Sequence, residues 1–238
     1  MKCWICPYEP DLVAEQRAEL IAPLNRAERE KLSRYRRTED RLEFLVSRYV
    51  VRRCLSELSC AHPGELRLTN LSTGQPVIVS LDGESQVASV SLSHTHGAVA
   101  LLAGPRAVKC GIDVERMTDL NVKQLLTARF FSSREREWVE SGSSVASIRS
   151  RFFRVWTLKE AYLKATGEGM AGFSDKVEVL PVSHEQAEVI DHRVKHETGS
   201  SWYFQTSTIG DAYFVARAWE KRPDLRSLVE ETVGDFMG

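Results

Sequence analysis

The chain has 238 residues, 42% of them hydrophobic and 27% charged, and its 32 basic and 33 acidic residues leave a formal net charge of −1. Such a length suits one or two ordinary domains, and near-neutral charge excludes a general attraction to nucleic acids or anionic membranes. No apolar run approaches the roughly 20 residues of a membrane span, so we expect a cytoplasmic protein that binds neither membranes nor nucleic acids.

Residues 1–8 are predicted to form a first strand, which contains a Cys-x-x-Cys pair at Cys3 and Cys6. No second pair follows to complete a zinc site. The other cysteines stand at positions 54, 60 and 110, so the total of five is odd and follows no regular disulfide framework. This usage favours reduced thiols.

Two helical tracts follow the first strand. Asp11–Leu24 has a helical pattern, and Glu28–Leu58 is a longer tract in which Asp40 can cap a second helix. Many basic residues lie along the longer tract, and a basic helix is usually a solvated face with i,i+4 partners. If the tract binds anions, the candidates are Lys31, Arg48 and Arg52.

Beyond residue 64 the sequence changes to short apolar segments separated by turns rich in glycine, proline and serine. A final helix is predicted near the C-terminus, over Asp224–Phe236. The order of elements predicts an α+β fold of two similar halves, residues 1–108 and 109–238, with a cleft between them. The predicted strands are Leu66–Asn70, Val77–Val79, Val87–Leu92, Ala98–Ala103, Lys109–Val114, Lys176–Leu180, Ala187–Val194, Trp202–Thr206 and Ala212–Ala218.

Ser93 and His94 close one of the predicted strands. A hydroxyl and an imidazole at a strand end can both donate hydrogen bonds to a phosphate, although a simple turn with capping residues would have the same sequence. His94 and His96 share a face of the strand, but no third soft ligand is nearby in sequence to complete a transition-metal site.

Asp113 and Glu115 lie two residues apart on a short, β-branched strand, so their side chains point to the same face. Two carboxylates on one face repel each other unless a cation lies between them or one is protonated. The pair therefore suits a hard cation with oxygen ligands, such as magnesium. The alternative is a strand end that turns into a polar loop.

A helix is predicted over Arg151–Thr166, because the segment lacks proline and glycine and Gly167 follows it. Its apolar stripe of Phe152, Trp156 and Leu163 should be core. Glu160 lies at the edge of that stripe, with Lys164 one turn later and Lys159 on the other flank. Glu160 and Lys164 could form an ordinary solvent-facing pair, but three carboxylates with lysines also suit a phosphate substrate carried by a divalent ion.

Just upstream, Asp119–Gly142 is predicted helical, with Ser132 or Ser133 as the N-cap of its second helix.

Together these two segments resemble a known family. GIDVER (residues 111–116) is followed about 40 residues later by WTLKEAYLK (residues 156–164). In residue type, order and separation they are similar to the G-I-D-x-E strand and W-x-x-K-E-x-x-x-K helix of the 4′-phosphopantetheinyl transferases of the surfactin-synthetase-activating (Sfp) type. The resemblance implies a pseudo-dimeric α+β fold with coenzyme A bound in the cleft between the halves.

The resemblance also implies coenzyme A contacts outside these two motifs. Arg48 matches an R-x-x-x-R motif, with Lys31 favoured more weakly, and Ser93-His94 matches an S-H-S/T element that binds the 3′-phosphate side of the coenzyme. Gln75 stands in a Gly-x-Pro turn where the family commonly has lysine. Lys159 and Lys164 complete the predicted coenzyme A contacts.

The activity implied is transfer of the 4′-phosphopantetheine arm of coenzyme A to a serine of an apo acyl or peptidyl carrier protein, as in holo-[acyl-carrier-protein] synthases. We expect Asp113, Glu115 and Glu160 to bind Mg²⁺, with Mn²⁺ as the other possibility, Glu160 to act as base and Lys164 to assist the leaving phosphate. We expect a monomer. Two other functions stay open at this point: a metal-dependent phosphodiesterase and a non-catalytic module that binds coenzyme A or a carrier.

Overall fold

Helices and mainly antiparallel strands alternate along the chain. The computed structural model describes residues 1–9, 14–58, 66–70, 76–80, 86–106, 108–126, 130–172, 174–183, 186–193, 202–222 and 230–233. The described helices are α1 (Ala14–Ile21), α2 (Arg26–Arg34), α3 (Thr38–Leu58), α4 (Val122–Leu126), α5 (Ser133–Glu140) and α6 (Val145–Thr166). The described strands are β1 (Lys2–Pro7), β2 (Leu66–Asn70), β3 (Pro76–Ser80), β4 (Gln86–Thr95), β5 (Ala98–Pro105), β6 (Cys110–Arg116), β7 (Val177–Pro181), β8 (Ala187–Asp191), β9 (Trp202–Ile209), β10 (Tyr213–Glu220) and β11 (Glu230–Val233). The predicted α+β class is confirmed, and none of the described helices is long and apolar enough to cross a membrane.

The strands form three sheets. One has six strands in the order β11-β1-β5-β4-β3-β2, the second has the order β6-β10-β9, and the third is the pair β7-β8. All neighbours are antiparallel except β1 and β11, which are parallel. The last segment of the chain therefore returns to the sheet in which the first strand lies.

The six-stranded and three-stranded sheets pack face to face. Alternation along β5 sends Ala98, Ala100 and Leu102 into the layer between the sheets, and alternation along β6 does the same for Ile112 and Val114. The opposite face of the large sheet is covered by the apolar side of α3. The second sheet is covered by α6, whose Leu158, Ala161 and Leu163 pack against Ala216 and Ala218 of β10. The result is four layers, in which a long helix covers the outer face of the six-stranded sheet and another covers that of the three-stranded sheet.

Local capping explains where two of the helices begin and end. Ser132, one of the two predicted N-caps, caps α5 and forms a capping box with Glu135. The N-cap of α6 is Ser144, whose side chain accepts from Ser147 N, so this helix begins six residues before the predicted Arg151. It ends, as predicted, at Gly167, whose φ of 81° lies in the left-handed region that glycine adopts at low cost.

The prediction of a C-terminal helix is wrong for Glu230–Val233, the part of it that the structure describes. Glu230–Val233 forms strand β11 and pairs with β1 in the register Lys2 to Glu230. The rest of that predicted helix lies outside the described residues. The division into halves at residues 108 and 109 stays a prediction.

Helix α6 approaches strand β6 very closely at Gly111. A Cβ atom built there would lie 1.9 Å from the carbonyl oxygen of Ala161 and 2.6 Å from the amide nitrogen of Ala165. Both are backbone atoms, which cannot swing aside as a side chain can. Only a residue without a side chain therefore allows β6 and α6 to lie so close together.

We therefore expect Gly111→Ala to destabilise the protein by about 3 kcal/mol, the upper part of the usual range for overpacking. Chemical denaturation followed by circular dichroism measures this change. Gly104→Ala is the matched control, because its added methyl would meet the end of the flexible Met1 side chain, which can move. Equal stability of the two variants would contradict the close approach.

Candidate active site

Three carboxylates from two distant segments of sequence meet at one place. Asp113 and Glu115 extend from the α6-facing side of β6, and Glu160 extends from α6. One oxygen atom from each lies within 4.8 Å of the others. The predicted convergence of these side chains is confirmed. It follows from strand alternation, which puts Gly111, Asp113 and Glu115 on one face, and from the close approach of α6 at Gly111.

Lys164 and Ser93 border this acidic triad. Lys164 Nζ lies 2.7 Å from Oδ1 of Asp113 and 3.8 Å from Oε2 of Glu160. Ser93 Oγ lies 2.8 Å from both the Lys164 ammonium and Asp113 Oδ1. The first half of the chain thus contributes the end of β4 to a site whose charges come from β6 and α6.

The triad has too much negative charge for its surroundings. Burial, followed by the charge of Asp113, raises the pKa of Glu115 to about 7, and the same two causes raise the pKa of Glu160 to about 7. Among the described residues, the buried Oδ2 of Asp113 has no hydrogen-bond partner. An unsatisfied buried carboxylate oxygen is costly, and three carboxylates that meet at one place favour a hard divalent cation. The residues present therefore fit a cation of the magnesium type, whose binding would displace protons from the two glutamates.

Trp156 has a direct contact that its predicted core position did not reveal. Its indole nitrogen donates to Oε1 of Glu115 at 3.2 Å, while its ring stacks on Phe152 at 5.9 Å between centroids. Trp156 is half-buried, whereas Phe152 and Leu163 of the same predicted stripe are buried as expected. The indole thus orients one member of the triad.

His94 lies at the edge of the same site. Its side chain is 50% exposed, and Nδ1 is 2.9 Å from Oε1 of Glu43 on α3. Ser93 and His94 point to opposite faces of β4, so Ser93 contacts the triad while His94 faces α3. The predicted coenzyme A contacts of both residues stay predictions.

Lys31 and Arg48 share one aromatic ring. The Lys31 ammonium lies 5.5 Å from the centroid of Phe44, and the Arg48 guanidinium lies 5.1 Å from it. Burial lowers the pKa of Arg48, and among the described residues its buried Nε has no hydrogen-bond partner. Two cations held over one ring form a site that suits an anion. The sequence did not indicate this role of Phe44, because an aromatic residue at helical spacing usually packs in the core.

The structure does not bring Lys159 to this site. Lys159 is fully buried, and its ammonium binds Glu135 at 2.8 Å and the carbonyl oxygen of Phe130 at 2.6 Å. This burial does not support its predicted contact with coenzyme A. Gln75 lies outside the described residues.

The site combines three carboxylates, a lysine and a Ser-His pair at a strand end. Such a set of side chains is typical of enzymes that act on phosphate esters. Comparisons with known proteins identify which one. A 4′-phosphopantetheinyl transferase superfamily model matches residues 109–218, and an N-terminal 4′-phosphopantetheinyl transferase model matches residues 12–106.

Relatives agree with these matches. The chain is 32% identical over 199 residues to the 4′-phosphopantetheinyl transferase HetI of Nostoc sp., which covers 84% of this chain and 78% of the relative. It is 30% identical over 175 residues to a putative 4′-phosphopantetheinyl transferase of Synechocystis sp., covering 73% and 68%. A solved holo-(acyl-carrier-protein) synthase of Bacillus anthracis, in complex with CoA, aligns at 20% identity and a TM-score of 0.35 over 48% of this chain and 96% of that chain. The chain belongs to the 4′-phosphopantetheinyl transferase family and is an enzyme of that family.

Proposed function

We propose that this enzyme transfers the 4′-phosphopantetheine arm of coenzyme A to a serine of an apo carrier protein and releases adenosine 3′,5′-bisphosphate. The observation that carries the proposal is the meeting of Asp113, Glu115 and Glu160 beside Lys164, in a chain of this family. A phosphodiesterase would need no carrier protein, and a non-catalytic binding module would transfer no group. Membership of a transferase family favours transfer over both.

In the proposed reaction the serine oxygen bonds to the phosphorus that carries the pantetheine arm. The bond from that phosphorus to the bridging oxygen of the pyrophosphate breaks, and adenosine 3′,5′-bisphosphate leaves with the bonding electrons. Mg²⁺ or Mn²⁺, held by Asp113, Glu115 and Glu160, would neutralise negative charge on the pyrophosphate. Side chains of this protein would remove the serine proton and stabilise the leaving phosphate.

Glu160 is the proposed base that takes the proton of the serine hydroxyl, directly or through a water molecule. A carboxylate is a usual general base for a hydroxyl group, and Glu160 lies beside the other two carboxylates that would hold the ion. Lys164 can turn its ammonium from Asp113 towards the leaving phosphate, since its side chain is 26% exposed and has three donors. Lys31, Arg48, Ser93, His94 and Gln75 are the proposed contacts of the coenzyme.

A mass measurement tests the function. The protein is incubated with coenzyme A, Mg²⁺ and a panel of apo carriers of fatty-acid, polyketide and non-ribosomal-peptide type. We expect one carrier or more to gain roughly 340 Da, the mass of a single phosphopantetheine arm. A serine-to-alanine carrier is the control and should gain nothing. If no carrier changes mass while a generic phosphodiester is hydrolysed, the phosphodiesterase alternative replaces the proposal.

The metal role of Asp113 has its own test. We expect Asp113→Asn to raise the Mg²⁺ concentration for half-maximal activity by about tenfold or more, because one anionic ligand is lost. Excess Mg²⁺ should restore part of the activity. The thermal stabilisation of each protein by Mg²⁺ alone gives a second readout of affinity, since a ligand that binds the native state raises its stability.

Asp119→Asn is the control for that experiment, because Asp119 is 96% exposed, pairs with Arg149 and is not one of the three carboxylates. Its metal titration should match that of the unmodified protein. Overlapping titrations for Asp113→Asn and the unmodified protein would show that Asp113 is not a ligand.

A further inference from the structure

His94 connects strand β4 to helix α3 through one acidic partner. Its Nδ1 is 2.9 Å from Oε1 of Glu43 on α3. The preceding residue, Ser93, contacts Asp113 of the acidic triad from the opposite face of β4. The imidazole therefore lies one residue along β4 from a direct contact with the triad.

The contact with Glu43 decides which way the ring faces. At 2.9 Å from a carboxylate oxygen, Nδ1 is the protonated nitrogen and donates to it. The two ring nitrogens lie on opposite edges of an imidazole, so Nε2 is directed away from α3. A histidine whose side chain is 50% exposed would otherwise rotate among several rotamers.

Glu43 is itself held in place. It lies between Leu42 and Phe44, which are only 4% and 6% exposed and anchor this turn of α3 in the core. Its own side chain is 28% exposed. It also borders a cavity of about 140 Å³, together with Tyr8, Glu39 and His96. Burial, opposed by a backbone hydrogen bond and aided by Glu43, raises the pKa of Tyr8 to about 12, so this phenol adds no negative charge beside the pair.

We propose that Glu43 is a positioning residue for coenzyme A binding: it accepts a hydrogen bond from Nδ1–H of His94 and so orients the ring for Nε2–H to donate to a phosphate oxygen of the coenzyme, an arrangement in which both ring nitrogens carry a proton. The inference rests on the proposed function, because it takes coenzyme A as the ligand. The same arrangement of carboxylate and histidine sets the tautomer and orientation of functional histidines in other sites. Glu43 does not contact the substrate in this account and acts through His94 alone.

Four variants test this role: Glu43→Ala, Glu43→Gln, His94→Ala and the double alanine variant. We expect Glu43→Ala and His94→Ala each to raise the KM for coenzyme A about tenfold with little change in kcat, the size of one lost hydrogen bond to a charged group. The double variant should be no worse than either single variant, because both remove the same contact. Glu43→Gln keeps an acceptor for Nδ1 and should stay within about threefold of the unmodified enzyme.

Glu39→Ala is the matched control, since Glu39 lies one turn earlier on α3, is exposed and borders the same cavity. It should leave the KM for coenzyme A unchanged. Calorimetric titration with coenzyme A in the absence of carrier protein gives an affinity that does not depend on turnover. It should weaken by the same factor as the KM rises.

Failure of the inference is distinguishable from failure of the proposed function. If the unmodified protein neither binds coenzyme A nor modifies a carrier, the function is wrong. If it does both, but Glu43→Ala binds coenzyme A as tightly or more tightly, Glu43 merely adds a repelling charge and the positioning role is overturned. A Glu43→Gln variant as weak as Glu43→Ala, or additive losses in the double variant, would overturn it as well.

Discussion

Glu160→Gln should lower the rate of carrier modification by at least about a hundredfold while the protein stays folded. The substitution removes the proposed base, and general base catalysis commonly contributes a factor of about 10² to 10⁴. It also removes one of three anionic groups that fit a divalent cation. The measurement is kcat with saturating coenzyme A and a carrier that the unmodified enzyme modifies.

Stability should not fall in this variant, which separates a catalytic defect from a folding defect. Burial and the charge of Asp113 raise the pKa of Glu160 to about 7, so the folded protein is stabilised by the protonated form. That stabilisation is present below the ordinary pKa of glutamate, near 4.5, and is lost as the pH rises through 7. A neutral glutamine carries no such cost, and above pH 7 without metal the variant should melt at or above the temperature of the unmodified protein.

Glu140→Gln is the control, because Glu140 is exposed at the end of α5 and belongs to neither motif segment. It should retain full activity. If Glu160→Gln also retained activity near that of the unmodified enzyme, Glu160 would be neither base nor essential ligand, and the assignment of the triad to catalysis would be wrong.

The triad itself could be predicted from sequence because short-range rules determine most of it. A period of two fixes the common face of Asp113 and Glu115, and a helical step fixes Lys164 one turn after Glu160. The distance between β6 and α6 could not be predicted in this way. It depends on Gly111, and the sequence alone does not show that the backbone of α6 lies against this residue.

Contacts between distant segments explain what the sequence did not reveal. Glu230–Val233 has no strong strand pattern of its own and becomes a strand because β1 offers it an edge. Glu43 and Phe44 lie within the predicted helical tract Glu28–Leu58, where nothing local indicates their partners. The contact of Glu43 with His94 joins α3 to β4, and that of Phe44 with Lys31 joins α3 to α2. Gln75 and most of the predicted C-terminal helix lie outside the described residues.

Lys159 shows the same difficulty most clearly, because it is next to Glu160 in sequence and yet faces another partner. A step of about 100° per residue turns it away from the triad, and its side chain and that of Glu135 are both 0% exposed. Glu135 also accepts from the amides of Ser132 and Val179. The pair thus ties the start of α5 to α6 and β7. Burial lowers the pKa of Lys159 and raises that of Glu135, and each charge offsets the cost for the other.

We therefore expect Lys159→Met to lower the free energy of unfolding by about 3–5 kcal/mol, because it leaves a buried carboxylate without its cation. The KM for coenzyme A should stay unchanged in the fraction that is folded. The double variant Lys159→Met/Glu135→Leu should recover part of the stability, since replacing both charges removes the unpaired one. Denaturation curves and coenzyme A kinetics at a temperature where all variants are folded measure both effects.

Lys31→Met is the matched comparison, because it removes an ammonium from the proposed coenzyme site rather than from the core. It should raise the KM for coenzyme A and change the stability little, the reverse of the pattern for Lys159→Met. If Lys159→Met were as stable as the unmodified protein and bound coenzyme A more weakly, the ammonium would reach the ligand. The buried pair with Glu135 would then not be the arrangement in solution.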